Sequence, residues 1–295
     1  MRELVTPRQV ARAIGVSEAS LKRWCDKGHI TCVRTAGGHR RLPVDAVLDF
    51  LRRHRRTLVH PELLRLPPAS GNGELGAERS AKHVLTALCR GQEDHVRQIV
   101  AELFLAGHSA CSICDDVLTP AMHRIGERWQ ASEVCVYQER RACELCLDVI
   151  AMLRRMIPPP GEHAPLAIGG TLEGDAYALP GAMVELALRE AGWRAESHGS
   201  GLPADTLREA LRAKRPVLMW LSVSSVADPE RFIAQYGRLY SLASEMGVAI
   251  VVGGRALLDG LRKRIRYCAY CDTLAHLVTF ACTISRPAHG AGTES

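Results

Sequence analysis

The 295-residue sequence has no apolar run of the roughly 20 residues that a membrane-spanning helix needs. Its first residues, MRELVTPRQV, contain no apolar signal region. Together these absences lead us to expect a cytoplasmic protein with no membrane partner. There is no Walker-type glycine loop and no metalloprotease helix. Glu173 and Asp175 lie close in sequence, but no nucleophile or base partner accompanies them, so an enzyme ranks last among the readings. The chain is also far too long for a disulfide-scaffold mini-protein. Its 11 cysteines are therefore expected to be reduced, buried or metal-bound.

What is present is unevenly placed. The formal net charge is +6, yet residues 1–60 hold 13 Lys/Arg against 5 Asp/Glu, leaving 25 against 27 for the remainder. A basic head on a near-neutral body is the electrostatic footprint of a nucleic-acid binder. A hydrophobic content of 47% supplies cores for two or three domains.

The head reads as a winged helix-turn-helix. Thr6-Pro7-Arg8-Gln9 carries a cap, a first-turn proline and a capping-box glutamine. Gly15 ends that helix, and Ser17 caps a second one with Leu21 and Trp24 facing inward. Ser20, Lys22 and Arg23 are left outward, suited to a major groove. Strand positions Ile30, Cys32 and Leu42 flank a Gly37-Gly38 turn that presents Arg34, His39, Arg40 and Arg41. Guanidinium forks at a hairpin tip suit phosphates or a narrow minor groove. Val44, Val47, Leu48 and Leu51 then repeat at helical spacing.

The stretch PELLRLPPASGNGELG, 61–76, reads as a flexible linker that lets the head move. Four helices are expected near 78–90, 93–106, 111–130 and 132–157, forming an antiparallel bundle over 77–160. From 164 to 286 strands are expected at 166–170, 194–198, 217–224, 248–253 and near 267–271, alternating with helices. That alternation implies a doubly wound, five-stranded parallel sheet with ligands beyond the strand C-termini. Residues 287–295 are expected to be a disordered tail.

The RTAGGHRR wing, preceded by LKRWCDKGHI, resembles the MerR superfamily. That resemblance implies DNA contacts from Ser20, Lys22, Arg23, Arg34, His39, Arg40 and Arg41. The stretch IGERWQASEVCVYQERRA is similar to the helical cap of cobalamin-binding regulators, with Trp129 and Glu139 at matching positions and Arg140 where that family has histidine. A guanidinium has no lone pair for cobalt. In the sheet domain, Asp175, Ser222, Ser224, Gly253 and Gly254 match the cobalamin-binding loops. Tyr177 replaces the cobalt-ligating histidine and Pro180 a glycine.

Domain order from Thr6 to about Ile284 resembles the light-sensing, adenosylcobalamin-dependent MerR-type repressors of carotenoid genes. The resemblance implies a regulator of promoter DNA, a repressor in that family's manner, whose dimeric or tetrameric state follows its cofactor and light. It implies a flavodoxin-like sheet of the cobalamin-binding type. Three readings of the sensor stay open. Cobalamin binds with Tyr177 or the cofactor's own base below cobalt; another tetrapyrrole, haem or bilin, binds instead; or nothing binds and the domain only assembles. His163 and His198 stand as substitute ligands.

Cys111/Cys114 and Cys143/Cys146 have CxxC spacing, which on a helix puts both thiols on one face. A helical hairpin turning near Ala131 would bring the two pairs together as a zinc or iron–sulfur site. The alternative is that they fill bundle positions as small apolar side chains. Cys268 and Cys271 form a third such pair, a candidate redox couple.

Overall fold

The computed structural model describes residues 3–54, 56–67 and 76–285. The centre of the expected linker and the expected tail at 287–295 lie outside the described residues. The chain divides into two units, Met1–Pro158 and Pro159–Ser295.

The first unit opens with β1 (Leu4–Val5), α1 (Pro7–Ala13) and α2 (Glu18–Asp26). The expected capping box is present: Gln9 N donates to Thr6 Oγ1 at 3.2 Å and Thr6 N to Gln9 Oε1 at 2.9 Å. Ser17 Oγ accepts from Ser20 N at 3.1 Å and starts α2. The wing is β2 (Val33–Arg34) antiparallel to β3 (Arg40–Pro43), with β1 on the far side of β3. Gly38 takes φ +77°, the left-handed conformation that closes this turn. α3 (Val44–Arg53) buries Val44, Val47, Leu48 and Leu51, as its spacing requires.

Two expectations about the linker need correction. Residues at its start belong to the head: Pro61–Leu64 form a 3-10 turn against α1, Leu64 is fully buried, and Val59 N and His60 N both donate to Ala13 O. The second is the separation of the head, which in this structure rests against the helical bundle. α3 packs on the bundle helices, with Arg52 Nη2 donating to His108 O at 3.4 Å and its guanidinium 4.1 Å over the Phe104 ring. A cation–π contact and apolar burial hold the two together inside one unit.

The bundle comprises α4 (Ala77–Cys89), α5 (Glu93–Leu105), α6 (Ala110–Ile113), α7 (Thr119–Gln130) and α8 (Val136–Met156). The single helix expected over 111–130 is broken by a π turn at Cys114–Leu118. Pro120 has no amide hydrogen for the carbonyl four residues back, and its ring clashes there, so the helix opens one residue wider just before it.

The second unit is a parallel sheet of β4 (Leu166–Gly170), β5 (Arg194–Ser197), β6 (Leu218–Ser222), β7 (Ala249–Gly253) and β8 (Ala269–Tyr270). The strand order is β5-β4-β6-β7-β8, the doubly wound arrangement expected. Between the strands run α9 (Leu179–Glu190), α10 (Ala204–Lys214), α11 (Pro229–Glu245) and α12 (Asp259–Arg262), followed by α13 (Leu274–Ser285). Ile168, Met219, Leu221, Ile250 and Val252 pack against Leu207 of α10 and Phe232, Tyr236 and Leu239 of α11. Alternation along the strands turns Gly169, Trp220 and Val251 to the opposite face, where α9 and α13 lie together. The chain leaves β4 toward β5 and returns on the other side as β6. The ends of β4 and β6 therefore form the topological switch point where doubly wound sheets take ligands.

Candidate DNA interface and sheet-edge site

On the head, α2 and the wing present Lys22, Arg23, Arg34 and His39 as exposed side chains. Lys22 is within 3.2 Å of Glu18, a solvated pair of little energetic weight. Ser20 is half-buried and bonded to Ser17. Arg41 is also half-buried, its Nη1 donating to Arg40 O. Arg40 differs from the others. Its Nη2 donates to Asp26 Oδ1 at 2.6 Å, and its Nη1 is buried without a hydrogen-bond partner. The wing is thereby tied to the C-terminal end of α2. Sequence reasoning missed this because Asp26 and Arg40 are brought together only when the wing folds back. Trp24 is core-facing as expected, its ring 5.1 Å from that of Phe50 and tilted 39° to it, with Arg56 4.6 Å above its ring.

At the α7–α8 tip, Trp129, Val136 and Tyr137 are exposed. Glu139 is held from two sides: Cys143 Sγ donates to its Oε1 at 3.4 Å, and Arg140 Nε stands 3.6 Å from its Oε2. The position where the resemblance calls for histidine thus carries a guanidinium beside Glu139.

The four-cysteine metal site is corrected. Among the described residues no three His, Cys, Asp or Glu side chains converge as a metal site. Cys111 Sγ lies 3.9 Å from Asp115 and Cys143 faces Glu139, each an acidic residue one turn along its own helix. Burial first, and Glu139 second, push the Cys143 thiol up to about 12; burial does the same to Cys146. They act as packing residues in the bundle.

In the sheet unit, Asp175 is 3% exposed and sits at the switch point. Its Oδ2 accepts from Ser224 N at 2.6 Å and Ser225 N at 3.3 Å, and its Oδ1 from Tyr177 N at 3.1 Å. One buried carboxylate therefore staples the loop after β4 to the loop after β6 through charge-assisted bonds. Thr171 Oγ1 adds a bond to Asp175 O at 2.5 Å and accepts from Gly201 N at 2.8 Å. Tyr177 is half-buried under the Arg255 guanidinium, 5.6 Å from its ring centroid. Ser222 is buried, Ser224 half-buried, and Gly253 and Gly254 line the same edge. A cavity of about 320 Å³ opens here, on the α11 side, between Glu173, Asp175, Ser222, Asp228, Arg231 and Phe232. Glu173 Oε2 accepts from Arg231 at 2.7 Å and Gln235 at 3.1 Å across it.

His163 is exposed in the loop preceding β4, at the opposite end of the sheet from this edge, which removes it as a substitute ligand. His198 follows β5 on the correct edge. Its Nε2 is buried without a hydrogen-bond partner, and burial, then Lys214, hold its pKa below the ordinary histidine value against the pull of Glu196.

The expected cofactor can be tested against these residues. Small side chains and glycines at the edge suit the approach of a flat macrocycle. Position 177, where the resemblance calls for the lower-face histidine, carries a phenol, and Asp175 already accepts three backbone amides. The edge thus fits a corrinoid face and supplies no protein nitrogen at position 177 for cobalt.

Residues 4–55 match the family model of the helix-turn-helix domain, and residues 81–154 match that of the B12 binding domain. The chain joins these two domains to a doubly wound sheet of the kind found in corrinoid proteins. Among known proteins it is similar to the HTH-type transcriptional repressor CarH of Myxococcus xanthus, with 29% identity over 189 residues, covering 64% of this chain. The match spans 62% of that relative's length. Its fold is similar to the monomethylamine corrinoid protein of Methanosarcina barkeri (TM-score 0.58, 18% identity, 71% of this chain and 100% of the other). A cobalamin-binding protein from Desulfitobacterium hafniense DCB-2 overlaps less closely (TM-score 0.37, 15% identity, 72% of this chain and 99% of the other). Among the described residues no helix is long and apolar enough to cross a membrane.

Proposed function

We propose that the protein is a DNA-binding transcriptional repressor whose sheet domain takes a cobalamin and thereby sets its oligomeric state. The observation that carries the DNA half is the joined surface of α2 and wing. Arg23, Arg34 and His39 stand exposed there, and an ion pair fixes the angle between the two elements. In this reading α2 enters the major groove, the wing arginines reach phosphates or the minor groove, and Arg40 positions rather than contacts. The similarity to a transcriptional repressor supports the same direction.

The cofactor half rests on the B12-binding match and on the glycine-lined sheet edge at the switch point. Ser222, Gly253 and Gly254 would lie beneath the macrocycle, while Asp175 holds the loops in place. Bound cobalamin would supply a cobalt–carbon bond that light breaks. The exposed rings of Trp129 and Tyr137, on the first unit, are offered for a second copy of the chain. A catalytic role is not favoured: the carboxylates at the edge are committed to backbone amides, Arg231 and Gln235, leaving no evident base. The protein works in the cytoplasm in this reading.

The test is dark reconstitution of the purified chain with adenosylcobalamin. We expect a visible spectrum that co-elutes with protein, a change of oligomer on illumination, and a matching change in retardation of promoter DNA. No DNA retardation at low salt would sink the regulator reading. Retention of haem or biliverdin but not cobalamin would move the sensor to another tetrapyrrole.

A further inference from the structure

Cobalamin carries its own lower base, a flat dimethylbenzimidazole on a nucleotide tail. A protein that removes this base from cobalt must give it a place to lie. A bicyclic ring of that size needs a side-chain-free stretch of sheet face reaching down from the strand ends. By residue type alone, four glycines at this edge, Gly169, Gly170, Gly253 and Gly254, would provide one.

In each case the space where a side chain would stand is already filled by the protein. A Cβ added at Gly169 would lie 2.2 Å from the indole of Trp220. At Gly170 it would meet Gly199 O at 2.6 Å, at Gly253 Cys271 O at 2.3 Å, and at Gly254 Val223 O at 2.3 Å. The last three are backbone contacts and belong to how the loops fold. The first is a side-chain choice. Trp220, 2% exposed, lies across the neighbouring strand on the face shared with α9 and α13. Its own indole fills the volume over Gly169, the space that a benzimidazole laid on that face would need, and its Nε1 is buried without a hydrogen-bond partner. The remaining opening, on the α11 side, has Glu173, Asp228 and Arg231 in its walls. Burying an apolar bicycle against those charges would cost their hydration.

Position 177 offers phenol instead of imidazole, so removing the base would also leave cobalt without a protein nitrogen from that loop. Both observations point the same way. Resting on the cobalamin reading above, we propose that Trp220 is a specificity-determining residue: this domain accepts cobalamin only with its own base still coordinated to cobalt.

The experiment uses the full chain loaded in the dark with cob(II)alamin whose base carries heavy nitrogen, read by electron paramagnetic resonance. A single heavy nitrogen on cobalt splits each line into a doublet, and ordinary nitrogen from a protein side chain splits it into a triplet. Doublets are expected. Triplets would assign the lower ligand to a protein histidine such as His198, and absence of nitrogen splitting would mean that the base has left; either result overturns the proposal. If neither cobalamin nor base-free cobinamide co-elutes with the protein, the cobalamin reading itself falls, and this inference with it. In a folded Trp220→Gly variant the opened face should let the base leave, so the doublets should be lost or weakened. Undiminished doublets there would remove Trp220 from the explanation. Should that variant fail to fold, the wild-type spectrum still decides where the base sits.

Discussion

If Arg40 braces the wing, then Arg40→Ala and Asp26→Asn should damage DNA binding in the same way. The pair is 2.6 Å long with side chains 24% and 59% exposed. Solvated pairs of this kind carry modest weight, so each variant should weaken a specific duplex by roughly two- to fivefold. The double variant should be no worse than either single one, because both remove the same interaction. The sign for Asp26→Asn is informative. Deleting a carboxylate near DNA raises the general attraction for phosphate, so a loss of affinity can come only from a loosened wing. Salt dependence separates the alternatives further. Losing one phosphate contact would flatten the plot of log affinity against log salt by about 0.9, whereas losing a brace leaves the slope unchanged. Fluorescence anisotropy on a labelled promoter duplex over a salt series measures all of this. A flatter slope for Arg40→Ala with undiminished binding by Asp26→Asn would refute the brace and return Arg40 to the phosphate-contacting set.

Gly169→Ala should destabilise the sheet unit by about 1–3 kcal/mol, the usual cost of overpacking, because the buried indole has nowhere to move; a urea midpoint equal to wild type would refute this. Arg52→Ala removes the Phe104 ring contact and the bond to His108 O, and should cost the first unit about 1–2 kcal/mol. An unchanged denaturation curve would mean that this docking carries no weight. Cys143 and Cys146, with thiols pushed to about 12, should resist iodoacetamide at mildly alkaline pH, while exposed Cys135 and Cys268 react. Mass spectrometry after timed alkylation checks it, and equal rates would refute the burial argument. His198 has a folded pKa below its unfolded value, so its contribution to stability is present above the ordinary histidine pKa and is lost as pH falls below it. Denaturation of wild type and His198→Phe across that range should show a shallower acid-side loss in the variant; parallel curves would exclude His198 as the cause.

Much of the architecture was legible because it depends on local chemistry. Thr6, Ser17 and Gly38 mark the cap, the second helix start and the wing turn through their own backbone preferences. Strand 166–170 was readable residue for residue from a short apolar run flanked by glycine. Other features were not readable, because they depend on partners distant in sequence. The π turn before Pro120 arises from one proline inside an otherwise helical pattern, which sequence periodicity averages away. The linker looked mobile by composition, yet its first residues cover α1, and α3 docks on the bundle through Arg52. The cysteine pairs had metal-like spacing, but spacing along a helix does not say which way neighbouring helices turn their thiols.

The sequence alone determined the order and type of the elements, the basic head, and the replacement of both expected histidines by Arg140 and Tyr177. The first two come from residue identity and periodicity, the last from the resemblance to cobalamin-binding regulators. Only the tertiary structure decided that Asp175 spends its carboxylate on two loops, that Arg40 pairs with Asp26, and that Trp220 lies over Gly169. Each of those joins residues from different strands, helices or loops, and which side chain fills a given space is settled only when they pack together.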